Sequence, residues 1–126
     1  MRVVLDTGAL LAVERGDRRM WTYLAGMRRL GVPVMTHGGV VGQAWRGGSG
    51  QQVPLARVLA TVEVLPLDDE LGRRSGVLLG RSGTADVIDA AVMAIARDGD
   101  DIVTSDPRDL GLLADAAGAH VELIRV

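Results

Sequence analysis

Two rhythms of apolar and polar positions alternate along this chain. Short aliphatic-rich segments at residues 2–5, 33–36, 62–65, 101–104 and 121–126 read as strands. Runs of this length between turn residues suit strands covered on both faces. Between them, apolar residues recur at helical spacing. Residues 7–15 predict a short helix stopped by Gly16. Residues 18–30 predict a longer one, capped by Asp17, with Met20, Trp21, Leu24, Met27 and Leu30 on its apolar positions and Gly31 just past its end. Residues 39–45, 51–60, 67–80 and 107–117 add further helices. Pro54 falls in the first turn of one, and Asp106-Pro107 opens another. Residues 85–97, with Thr84 as cap and Arg81-Ser82-Gly83 as the turn before it, are apolar nearly all round. That predicts a helix at the centre of the molecule. Strands alternating with helices predict crossover connections. The expected fold is a three-layer α/β/α sandwich around a mainly parallel five-stranded sheet, with residues 1–126 as one domain.

Composition narrows the picture. Phe is absent and there are two Trp and one Tyr in 126 residues, so the core must be built from Val, Leu, Ala and Ile. Cys is absent, which excludes disulfides and thiolate metal sites. No apolar run approaches the roughly 18 residues of a membrane span, and the N-terminus lacks the pattern of a signal peptide. The expectation is a soluble cytoplasmic protein with no membrane partner. A net charge of −2 excludes a sequence-independent DNA coater, and the Arg pairs 18–19, 28–29 and 73–74 read as solvated helix faces. All 14 basic residues are Arg. Without Lys there is no P-loop and no Schiff-base chemistry. An acidic phosphotransfer domain is disfavoured for the same reason.

The remaining candidate chemistry is carboxylate chemistry. In Val3-Val4-Leu5-Asp6-Thr7-Gly8 a strand feeds an acidic residue into a helix start, and Val103-Thr104-Ser105-Asp106 repeats the arrangement. Open parallel sheets place their ligand chemistry at such strand ends. Each Asp also has a bland reading as a helix cap. Asp109 reads as solvent-facing charge near a helix N-terminus. Asp86 and Asp89 lie three apart on the apolar helix and share a face. Asp89, placed in the second turn between Ile88 and Ala90, is costly unless something pairs with it, and a divalent cation is a suitable partner. If the first and fourth strands are neighbours, Asp6 and Asp106 emerge at one edge, with Asp89 leaning over it. Hard oxygen ligands in that number suit Mg²⁺ or Mn²⁺. His37 and His120 read as surface or turn residues. No Gly-x-Ser-x-Gly elbow is present, which disfavours a hydrolase triad.

The Asp-Thr-Gly-Ala-Leu-Leu-Ala opening, the Asp-Ala-Ala-Val-Met-Ala-Ile-Ala helix from Asp89 and the Val-Thr-Ser-Asp element at Asp106 resemble the PIN domain, in order and over almost the whole length. Many single-domain members are ribonuclease toxins of the VapC type. The resemblance implies a Rossmann-like fold with an acidic Mg²⁺ or Mn²⁺ site that hydrolyses RNA. By position it assigns Asp6, Asp89 and Asp106 to that site, supported by Thr7 and by Thr104 or Ser105. It also implies a cognate antitoxin and a homodimer, for which Met20, Trp21 and Leu24 are candidate contacts. Where the family usually carries a Glu, this chain has Gln43, which brings no charge. Asp86 is the candidate to restore it. Gln43 also motivates the alternative, a PIN-like RNA- or protein-binding module with weakened catalysis. Arg46 and Arg81, beside glycine-rich turns, are candidates for contact with RNA phosphate.

Overall fold

A computed structural model describes residues 1–47 and 50–126. Five strands form one parallel sheet: β1 (Val3–Leu5), β2 (Val34–His37), β3 (Glu63–Leu65), β4 (Asp101–Thr104) and β5 (Glu122–Arg125). Their order is β3-β2-β1-β4-β5. The chain therefore works outward from β1 to β3, then crosses back to lay β4 on the other side of β1. The strand order reverses between β1 and β4, and that switch point is where an open parallel sheet leaves a crevice.

Among the described residues, seven α-helices connect the strands: α1 (Thr7–Glu14), α2 (Arg18–Arg29), α3 (Gly38–Ala44), α4 (Val53–Leu59), α5 (Asp69–Ser82), α6 (Val87–Ile95) and α7 (Pro107–Ala117). Helix α1 packs against α2, α3 and α4, whereas α5, α6 and α7 pack on one another. Right-handed crossovers from a central β1 put the two groups on opposite faces. Every β1 residue is fully buried, as its central position requires. The α6 residues Ala90, Ala91, Val92, Met93 and Ile95 are buried too, and the small alanines let this helix lie close over β1 and β2. With no Phe available, Leu5, Leu10, Leu55, Met93 and Ile102 are among the largest fully buried side chains.

Several boundaries differ from the sequence reading, for identifiable reasons. Helix α5 is capped by Asp68 and runs through Ser82, ending at Gly83 with φ 72°. Residues 81 and 82 are thus helix, and Gly83 takes the left-handed position that L side chains disfavour. Asp86, and not Thr84, caps α6. Its carboxylate accepts from the Ile88 and Asp89 N–H groups, and α6 ends at Ile95. Helix α4 begins at Val53 after a 3-10 turn at Gly50–Gln52, and its proline sits where a missing N–H does no harm. Of the glycine-rich break at 46–50, Gly48 and Ser49 lie outside the described residues.

The strand N-termini are tied by an ion pair between half-buried Arg2 and buried Asp100. The Arg2 guanidinium reaches Asp100 Oδ2 at 2.7 Å and the Ile95 carbonyl at 2.8 Å, while the Arg2 backbone N–H donates to Asp100 Oδ1 at 2.9 Å. Burial alone would raise the Asp100 pKa. Hydrogen bonds from Arg2 and the Arg97 N–H, with the Arg2 charge, outweigh it and hold the carboxyl below its ordinary value.

Candidate metal centre

Because all five strands are parallel, their C-terminal ends share one edge, and the crevice between β1 and β4 opens there. Asp6 leaves β1 at this edge and is 2% exposed. Its Oδ1 accepts from the Ala9 N–H at 2.9 Å, capping α1, and its Oδ2 accepts from the Ser105 N–H at 3.1 Å, across the crevice. The cap reading and the site reading therefore both apply. Asp6 starts a helix and joins the ends of β1 and β4. Burial raises its pKa, and bonds from the Thr104 hydroxyl and the Ala9, Ser105 and Gly8 backbone work against that rise.

The next carboxylates come from two helix N-termini facing the crevice. Asp106 caps α7, accepting from the Asp109 N–H at 3.2 Å, and its own N–H donates to Thr104 Oγ1 at 2.8 Å. Asp89 stands at the third position of α6, in its first turn and not the second. That shift follows from Asp86 being the cap. Asp89, Asp106 and Asp109 each offer a carboxylate oxygen, and these three oxygens lie within 4.8 Å of one another. The Asp89 pKa is pushed up to about 7, first by burial and then by the charges of Asp86, Asp6, Asp106 and Asp109. Among the described residues, the ion pairs are Arg2–Asp100, Arg73–Asp69 and His120–Asp98, and none includes any of these five carboxylates. The positive ends of α6 and α7 offset part of the repulsion. Converging hard oxygens without a cationic side chain, one of them holding its proton near neutrality, fit a divalent cation of the Mg²⁺ or Mn²⁺ kind.

The predicted carboxylates fall into two groups. Asp89 and Asp106 meet as expected. Asp6 and Asp86 adjoin them without joining the tight trio. Asp6 spends both oxygens on backbone N–H groups, and the exposed Asp86 spends Oδ1 on the start of α6. Asp109, read from sequence as solvent-facing, completes the trio instead. The Asp106-x-x-Asp109 spacing puts a cap and a third-position carboxylate on one side of a helix start, but ordinary capping uses the same spacing, so it did not single out Asp109.

Of the supporting residues, Thr7 donates from its hydroxyl to Gln43 Oε1 at 2.5 Å, which brings the exposed Gln43 of α3 to this edge. Thr104 is buried beneath the site, and Ser105 is exposed beside it. Sequence placed Gly8 in the opening Asp-Thr-Gly run without giving it a role. A Cβ there would lie 2.1 Å from Ser105 Oγ, so only glycine lets α1 approach the β4–α7 loop this closely.

Other expectations need correction. His37 is fully buried, because it closes β2 and caps α3 beneath α6. Arg46 turns its guanidinium onto the Gly42 and Trp45 carbonyls at the end of α3. Arg81 lies in the last turn of α5. It lines a cleft with Arg74 and Arg97 beside the C-terminal ends of α6 and α7, whereas the carboxylates sit at the N-terminal ends of those helices. Met20 is in the core and cannot form a contact surface, while Trp21 and Leu24 remain half-buried along a groove of about 640 Å³ between α2 and α4.

No protein-family model matches the sequence, and no curated protein matches it. Solved structures do. The chain superposes on one from the VapBC2 complex of Rickettsia felis bound to a DNA fragment from their promoter. The TM-score is 0.70 at 14% identity, over 98% of each chain. It also superposes on a chain of FitAB bound to an IR36 DNA fragment, with a TM-score of 0.65 at 16% identity, over 96% of this chain and 94% of that one. Likeness at such low identity concerns architecture, and by it this chain has the PIN-like α/β fold.

Proposed function

We propose that the chain is a PIN-type, metal-dependent endoribonuclease and the toxin half of a toxin–antitoxin pair. The observation that carries this reading is the convergence of Asp89, Asp106 and Asp109 within 4.8 Å at the switch point of a parallel sheet. The likeness to chains of the VapBC2 and FitAB complexes supports an antitoxin partner. An RNA substrate, a cytoplasmic setting and a homodimer belong to the same proposal.

Asp89, Asp106 and Asp109 would hold Mg²⁺ or Mn²⁺, with Asp6 and Asp86 adding negative field. Such an ion supplies Lewis acidity toward the phosphodiester and lowers the pKa of an attacking water. The chain's own part is orientation. Asp6 and Thr104 lock the loop that carries Asp106. Asp86 fixes the backbone N–H of Asp89. Asp89 must give up its proton to hold the ion, so proton and cation compete for it, and Mn²⁺ affinity should fall as pH drops.

The test is cleavage of RNA with added Mn²⁺. Asp89→Asn and Asp106→Asn should each lose more than about 100-fold in rate, beyond the loss typical of an outer-shell partner, while remaining folded. Wild-type rates in both variants would overturn the assignment. The binding-module reading rests on Gln43, whose amide brings no charge to the edge. If calorimetry finds no Mn²⁺ binding by wild type and binding by Gln43→Glu, that reading prevails.

A further inference from the structure

His37 makes two hydrogen bonds, and capping of α3 accounts for only one of them. Its Nδ1 accepts from the Gly39 N–H at 3.0 Å, and its Nε2 lies 2.9 Å from the Ile88 carbonyl oxygen. A carbonyl can only accept, so Nε2 carries the proton and donates. The ring is then neutral and in a single tautomer. Burial holds its pKa below the ordinary value, in keeping with that state.

The Ile88 carbonyl and the Asp89 N–H belong to one peptide group. His37 holds the oxygen of that group, and Asp86 Oδ1 holds its nitrogen at 3.1 Å. The peptide that leads into Asp89 is thus pinned at both ends from outside the helix ladder. The packing around it leaves no slack. A Cβ on Gly39 would stand 2.6 Å from Ile88 Cδ1 and 2.9 Å from His37 Cε1. The same imidazole caps α3, whose Gln43 is bonded to Thr7 beside Asp6. One buried ring therefore links β2, α3 and the start of α6.

We propose that His37 is a positioning residue, whose Nε2–H bond to the Ile88 carbonyl sets Asp89 against Asp106 and Asp109 and so sets the affinity for a divalent cation. The proposal rests on reading those carboxylates as a cation site. It assigns His37 no contact with substrate.

Two variants separate the ring's bonds. His37→Asn keeps an acceptor for the Gly39 N–H and loses the reach to Ile88. His37→Gln keeps a donor near the Nε2 position. Mn²⁺ alone is titrated calorimetrically into full-length wild type and both variants, and each sample is melted to confirm that it is folded. The expected result is Mn²⁺ binding weakened about tenfold in His37→Asn and largely restored in His37→Gln, the size typical of partners that orient ligands. If His37→Asn does not fold, Gly39→Ala gives the same reading. Its methyl group crowds both the Ile88 side chain and the His37 ring, so it disturbs the Nε2–H bond to the Ile88 carbonyl without removing either ring nitrogen, and a severalfold weaker affinity is expected. Equal affinity in wild type and the variants would overturn the positioning role alone. Wild type that takes up no Mn²⁺ would overturn the cation-site reading and the proposal with it.

Discussion

Asp89 is the residue on which charge, burial and geometry collide. Its folded pKa of about 7 lies above its ordinary 3.8. Between those values the native state holds a proton that the unfolded chain has released. Stability from this group is therefore full below about pH 4, falls as pH rises, and is gone above about 7. His37 works in the opposite sense, because the unfolded chain protonates it below its ordinary 6.5 and the buried ring resists. A difference isolates Asp89. In metal-free urea melts, Asp89→Asn should gain stability relative to wild type on going from pH 4 to pH 8. A difference that stays flat across that window would mean Asp89 is not crowded as described. Sequence made Asp89 and Asp106 legible because a carboxylate in an apolar helix, or at the end of a buried strand, is expensive without a reason. Asp109 was not legible, since a third-position Asp after Asp-Pro has an ordinary helix-dipole explanation. His37 was hidden for a related reason. Nothing local to Thr36-His37-Gly38 announces that α6 will descend on it.

At the scale of elements, the site depends on how closely α1 meets the β4–α7 loop. Gly8→Ala would drive a methyl group to 2.1 Å from Ser105 Oγ and 2.3 Å from its Cβ. Overpacking of this kind costs about 1–3 kcal/mol. The loop carrying Asp106 must then shift, so Mn²⁺ affinity should fall along with the melting temperature. Unchanged values of both would show that the contact is slack. Removal of the α6 cap by Asp86→Ala should cost about 1 kcal/mol in denaturant melts. Helix existence was readable almost everywhere from spacing and caps, and Asp17 and Asp106 were placed correctly. The start of α6 was misread because Thr84 and Asp86 are both good caps two residues apart. Local chemistry cannot choose between them. Packing of Ile88 against Gly39 and the His37 bond to its carbonyl draw the start to Val87.

At the scale of the molecule, one topological fact makes the site possible. Strands β1 and β4 are neighbours although nearly a hundred residues separate them, and the reversal of strand order leaves the crevice that Asp6 and Asp106 enter. The alternation of elements foretold a parallel sheet. The strand order was only a condition in the sequence argument, since aliphatic runs of similar composition carry no address for their neighbours. The Arg2–Asp100 pair holds β1 to β4 at the far end from the carboxylates. Asp100→Ala leaves the half-buried Arg2 guanidinium with the Ile95 carbonyl alone and should cost about 1–3 kcal/mol, with Mn²⁺ affinity unchanged as long as the protein is folded. Lost affinity in the folded variant would tie the two ends together more tightly than this geometry does. The central claim, that carboxylates from two helix starts enclose a divalent cation, has one direct test. Crystals soaked in Mn²⁺ can be measured for manganese anomalous scattering. The account predicts a peak bounded by the carboxylates of Asp89, Asp106 and Asp109. Crystals that bind manganese elsewhere, or not at all, with that position bare, would contradict it.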